Sequence, residues 1–247
     1  MARSAGAGKT ALVAAALIGS MMGTVTSAGA ADAPKADVAK PTAAEYVAWL
    51  DSQNTAEADQ TATQFKELSA ENQQKFLNYI SDPEIAKALA GQKGDPNADP
   101  DFESKRTATG ERTSTTLAGG DVVVSSESGV TPPASRGSAG DWSCYYWVNN
   151  TVLGIEITKH TLTQTYHSTS TEVDKVYSAR ASHKNLNPGV QVDNQPEDQW
   201  ISAAGNALAY VTWNVDFVYS GSQIHMDKLQ HVRCDETGFR EGYIKDA

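Results

Sequence analysis

The clearest pattern along the chain is a period of two. Ala209, Val211, Trp213, Val215, Phe217 and Tyr219 alternate with Tyr210, Thr212, Asn214, Asp216 and Val218. Successive strand positions face opposite ways, so such a run reads as a strand with one buried side. The alternation recurs through Ile224, Met226, Val232 and Cys234, and earlier through Trp142, Cys144, Tyr146 and Val148. Ser220-Gly221 fits a two-residue hairpin turn, because glycine adopts positive φ without strain. That turn sets a register placing Phe217 opposite Ile224 and Val215 opposite Met226. On the outer side it places Asp216 opposite His225, Asn214 opposite Asp227 and Tyr210 opposite His231. A slip of one residue would turn an apolar set to water. Asn187-Pro188-Gly189 marks a further turn between strands bearing Val176 and Val190. Residues 141–247 therefore predict an all-β domain of about seven strands, as a sandwich or a barrel.

Residues 41–91 carry a helical period instead. Tyr46, Val47 and Leu50 share one side of a helix opened by Pro41-Thr42, and Phe65 and Leu68 lie a turn apart. Ser69 fits an N-cap before Phe76, Leu77 and Ile80. Asp82-Pro83-Glu84 restarts a short helix with Ile85 and Leu89 on its apolar face, and Gly91 can end it. Between the two zones, residues 92–140 are dominated by Gly, Pro, Ser, Thr and Asp. Their hydrophobicity is too low to offset the entropy of ordering, so a flexible linker is expected, with an isolated strand through Val122, Val123 and Val124 at most. The expected fold class is a small helical N-terminal region plus a C-terminal all-β sandwich or barrel closed by one disulfide.

The first thirty residues read as a secretory leader. Arg3 and Lys9 form a basic n-region, Thr10 to Val25 an apolar stretch broken by Gly19, Ser20 and Gly23, and Ala28-Gly29-Ala30 a small-residue cleavage site. Residues 31–40 then read as a disordered mature N-terminus. Loss of Arg3 and Lys9 with the leader takes the formal net charge from −10 to −12. A chain of that sign repels polyanions, so nucleic acid is not expected as a partner, and no transmembrane segment is expected. Cys144 and Cys234 are the only cysteines. An even pair in an exported chain implies one disulfide, and without a CxxC spacing zinc has too few ligands.

Candidate chemistry is sparse. Ala5-Gly6-Ala7-Gly8-Lys9-Thr10 resembles the end of a phosphate loop, but Arg3 stands where the first Gly belongs. Asp95, Asn97, Asp99, Asp101 and Glu103 imitate a calcium loop, but Pro100 and Arg106 occupy the positions of its Gly and Glu. No Gly-x-Ser-x-Gly elbow accompanies His160, His167, His183, His225 and His231. His167 with Glu172 and His225 with Asp227 lack an obvious third metal ligand, and adjacent Glu197 and Asp198 diverge. Asn149-Asn150-Thr151 is a glycosylation sequon that reads as a polar turn. No cofactor, metal or catalytic residue is therefore expected.

The remaining signal is aromatic. With Cys144 inward, Tyr145 and Trp147 point outward, where such rings stack on sugars or grip a protein. The register puts Asn214, Asp216 and His225 on an outer face as well, and a surface shared with Tyr145 and Trp147 is the expected binding site. The reading is a secreted non-enzymatic binding or interaction protein contacting extracellular polysaccharide or a protein partner. The alternative is an extracellular hydrolase or enzyme inhibitor.

Overall fold

The computed structural model describes residues 38–89, 102–106, 110–133, 139–219 and 221–247. The expected leader and most of the expected disordered N-terminus lie outside these residues, as do Gly91 and the calcium-loop positions 95–101. Four helices come first: α1 (Ala43–Ser52), α2 (Ala56–Glu67), α3 (Ala70–Ile80) and α4 (Pro83–Leu89). Their starts follow from capping. The Thr42 hydroxyl and the Glu45 side chain form a reciprocal capping box, Thr55 caps α2 and Ser69 caps α3. The Asp82 carboxylate accepts from the Glu84 and Ile85 N–H groups at 2.8 and 3.4 Å. Tyr46, Leu50, Phe65, Phe76, Leu77 and Ile80 form the buried stripe that the period predicts.

Eleven strands follow among the described residues. The first sheet is an antiparallel meander of β1 (Phe102–Arg106), β2 (Gly110–Leu117), β3 (Val122–Thr131), β4 (Gly140–Val152), β5 (Ile155–Ser168) and β6 (Val173–Asn185). The second runs β11 (Gly238–Asp246), β10 (Ser222–Asp235), β9 (Ala207–Tyr219), β7 (Val190–Asn194), with β8 (Asp198–Ile201) also paired to β9. The β9–β10 register is the expected one: Phe217 faces Ile224, Asp216 faces His225 and Tyr210 faces His231.

The two sheets pack face to face as a sandwich, not a closed barrel. Trp142, Cys144, Tyr146 and Val148 of β4 meet Ala209, Val211, Trp213 and Val215 of β9 in one core. The Cys144–Cys234 disulfide joins the sheets, and hydrogen bonds cross between them as well, among them Gln164 Nε2 to the Leu208 carbonyl at 3.0 Å. Gln230 Nε2 donates to the Tyr146 carbonyl at 2.7 Å, and the Tyr166 hydroxyl donates to the Asp235 carbonyl at 2.8 Å. Trp213 Nε1 donates to Gln230 Oε1 at 2.6 Å, so the polar end of the buried indole is satisfied.

The expected linker needs correcting. Residues 102–106, 110–117 and 122–131 are three strands of the first sheet, and the strand at Val122 is paired on both sides. Ser, Thr and Val suit a pleated surface, and pairing with the apolar β4 stabilises strands too polar to bury much on their own. The helical layer is not tethered at a distance either. Its core is continuous with Val122, Val152, Ile155, Ile157 and Leu186 of the first sheet and the loop after it. Tyr46 donates its hydroxyl proton to the Leu186 carbonyl at 2.9 Å, and Asn187 Nδ2 donates to the Ile80 carbonyl at 2.8 Å. Lys75 and Tyr79 both bond Asp121, at 3.1 and 2.8 Å. The described residues form one compact unit.

Candidate functional site

Outward parity is defined by each sheet's own core, and this separates residues expected to share a face. Tyr145 and Trp147 lie on the outer face of the first sheet, opposite in parity to the buried Tyr146 and Val148. Asn214, Asp216 and His225 lie on the outer face of the second, at the far side of the sandwich. The expected common surface is therefore corrected. Tyr145 and Trp147 already have partners of their own. The Tyr145 hydroxyl donates to Glu127 at 2.8 Å, and the Lys159 ammonium sits 4.4 Å from the Trp147 ring centre.

The outer face of the second sheet carries its own aromatic groups at the other end of β9. Trp200 of β8 stacks on Tyr210 of β9 at 5.1 Å and 11°. Tyr210 stacks in turn on His231 of β10 at 4.3 Å. His231 leans on Tyr243 of β11 at 4.8 Å, and the Lys245 ammonium closes the row 5.1 Å from the Tyr243 ring. One row thus crosses four strands through neighbouring register positions. Within it His231 is buried, whereas Trp200 at the end is 40% exposed. Beside Trp200 and Tyr210 runs a groove of about 410 Å³, with Gln195, Pro196, Asp198 and Thr212 among its walls. That volume lies within the range of ligand sites.

Along β9, away from this end, the face becomes polar. Asn214 Nδ2 donates to Asp227 Oδ1 at 2.7 Å. The His225 ring sits between two carboxylates, with Nδ1 2.9 Å from Asp216 and Nε2 3.1 Å from Asp227. The hydrogen bond to Asp216, aided by the charges of both aspartates and opposed by partial burial, raises the His225 pKa above its ordinary value. Both ring nitrogens are engaged, which leaves neither free to act as a base toward a nucleophile. Because the folded pKa is raised, the stabilisation is complete below the unfolded value of about 6.5 and fades as pH rises through the folded one. Its size should stay under about 1 kcal/mol, since the side chain is 57% exposed and screened. Proton NMR should find His225 titrating above model histidine, and Asp216→Asn should bring it down; an unchanged titration would show that Asp216 is not its partner.

Other candidates resolve locally. His167 pairs with Asp174 at 2.6 Å, and the Glu197 carboxylate accepts from the Ala181 N–H at 2.7 Å while Asp198 faces the groove. Asn149-Asn150-Thr151 lies within β4, not in a turn, with Asn150 buried and Asn149 bonded to Glu156 at 2.6 Å. Among the described residues, no three or more His, Cys, Asp or Glu side chains are grouped to hold a metal ion. No described helix is long and apolar enough to cross a membrane. Comparisons of the chain with protein-family models, curated proteins and solved structures found no match.

Proposed function

We propose that the protein is an exported, non-catalytic binding module that holds an uncharged glycan along the outer face of its second sheet. The observation that carries this reading is the groove beside the stacked Trp200–Tyr210 pair. Sugar recognition combines an aromatic surface for the C–H side of a pyranose with amide, carboxylate and hydroxyl groups for its hydroxyls. Trp200 and Tyr210 supply the first, and Gln195, Asp198 and Thr212 the second. Asn214 and Asp227 continue the polar track along β9. The net charge, −10 for the full sequence and −12 without the leader, disfavours anionic glycans. Export is supported by the leader-like first thirty residues and is compatible with the disulfide.

Retention on insoluble neutral glycans, such as cellulose and chitin, tests the reading. Trp200→Ala should weaken retention at least tenfold, as loss of a stacking anchor does. Stability should fall by about 1–3 kcal/mol, from the aromatic pair and from the buried part of the indole. Trp147→Ala, on the opposite face, should leave retention intact. If neither glycan is held, or if Trp200→Ala retains as the wild type does, this reading fails. Loss with Trp147→Ala alone would transfer the site to the first sheet, and product release from the glycan would favour a hydrolase.

A further inference from the structure

A cleft of about 60 Å³ lies between the two sheets at the end capped by the helical layer. Its walls include Ile80 of α3, Val148 and Ile157 of the first sheet, and Trp213, Val215 and Phe217 of the second. Packed interiors leave few voids larger than a water, and one water needs only about 10–15 Å³, so this space is unlike an ordinary packing defect. Most of the polar side chains along it have partners in the fold. Asn150 Nδ2 bonds the Thr158 hydroxyl at 2.7 Å, Asn187 bonds the Ile80 carbonyl and the Tyr219 hydroxyl, and Lys228 pairs with Asp246. His160 also lines it, and its Nε2 is buried without a hydrogen-bond partner among the described residues. The ring is fixed edge-on against Trp213 at 4.9 Å. Burial, together with nearby His183, pushes its pKa down to about 4, which keeps it neutral at pH 7.

We propose that this cleft is a second, independent binding site, for a short aliphatic molecule carrying one hydroxyl that bonds His160. The apolar walls take the carbon chain. A hydroxyl both donates and accepts, so it satisfies the imidazole nitrogen in either tautomer. The space is under half of the ~150 Å³ that admits benzene, which limits the carbon chain to one or two carbons and excludes an aromatic ring.

The probes are ethanol, which has the hydroxyl, and xenon, which has only bulk. Methyl NMR of the disulfide-bonded protein should show both shifting Val148, Ile157 and Val215. His160→Phe keeps a planar ring but removes the nitrogen, so ethanol should bind about tenfold more weakly while xenon binding persists. Val192→Phe, which adds bulk at the cleft wall and keeps the His160 nitrogen, should weaken both and serves if the first variant fails to fold. Equal ethanol affinity in wild type and His160→Phe overturns the proposal. So does an ordered water on His160 that ethanol does not displace, or a lack of response to either probe.

Discussion

A double Cys144→Ala, Cys234→Ala variant is expected to lose about 4–5 kcal/mol of stability, the largest change any pair of substitutions here should produce. The bond closes a loop with a sequence separation of 90 residues, and releasing it returns that closure entropy to the unfolded chain. It also removes the one covalent tie between β4 of the first sheet and β10 of the second. Urea unfolding of the oxidised protein and the variant measures the difference. Thiol labelling of the unreduced wild type should find no free cysteine; two reactive thiols per chain would overturn the assignment, and a loss under about 1 kcal/mol would show that the sheets stay docked without it.

Asn187→Ala should have the second largest effect, about 3 kcal/mol. One amide serves three partners between the helical layer and the sandwich. Its Nδ2 donates to the Ile80 carbonyl at the end of α3, and its Oδ1 accepts from the Tyr219 hydroxyl at 2.8 Å and the Gly189 N–H at 3.2 Å. Alanine would leave buried groups short of a partner, each costing about 1–3 kcal/mol, although Gly189 keeps a bond to the Tyr219 oxygen at 3.0 Å. Close approach makes the site unforgiving, since a Cβ at Gly189 would fall 2.1 Å from the Tyr219 ring. Far-ultraviolet and near-ultraviolet dichroism should follow one transition in the wild type and separate in the variant as the helices loosen first. Coincident transitions with a loss below about 1 kcal/mol would show that this junction contributes little.

What could be read in advance follows from how local its causes are. Ser69 and Asp82 cap helices through neighbours two or three residues away, and the β9–β10 register needs only a turn and an alternation. The strands at 110–117 and 122–131 were hidden because Thr113, Thr115, Ser126 and Ser128 stand at inward positions where large apolar groups usually signal a core. Their order comes from β4, which is distant information for a composition argument. The site was legible in halves. The pairing of Asp216 with His225 and of Tyr210 with His231 came with the register. Trp200 and Tyr243 join that row only because β8 and β11 flank the hairpin, and Tyr145 and Trp147 leave it because β4 belongs to the other sheet.

The meander has a kinetic consequence. Every pairing in the first sheet joins strands adjacent in the chain, and β9 to β11 continue the habit. Strand pairing therefore asks for little loop closure, and the contacts of high sequence separation are concentrated in the packing of one sheet on the other. That docking is the step expected to limit the folding rate. Because Cys144 and Cys234 sit on opposite sides of the interface and are both fully buried, the thiols of the reduced protein should lose access to solvent as the sheets dock, and pulsed alkylation during refolding would time that step.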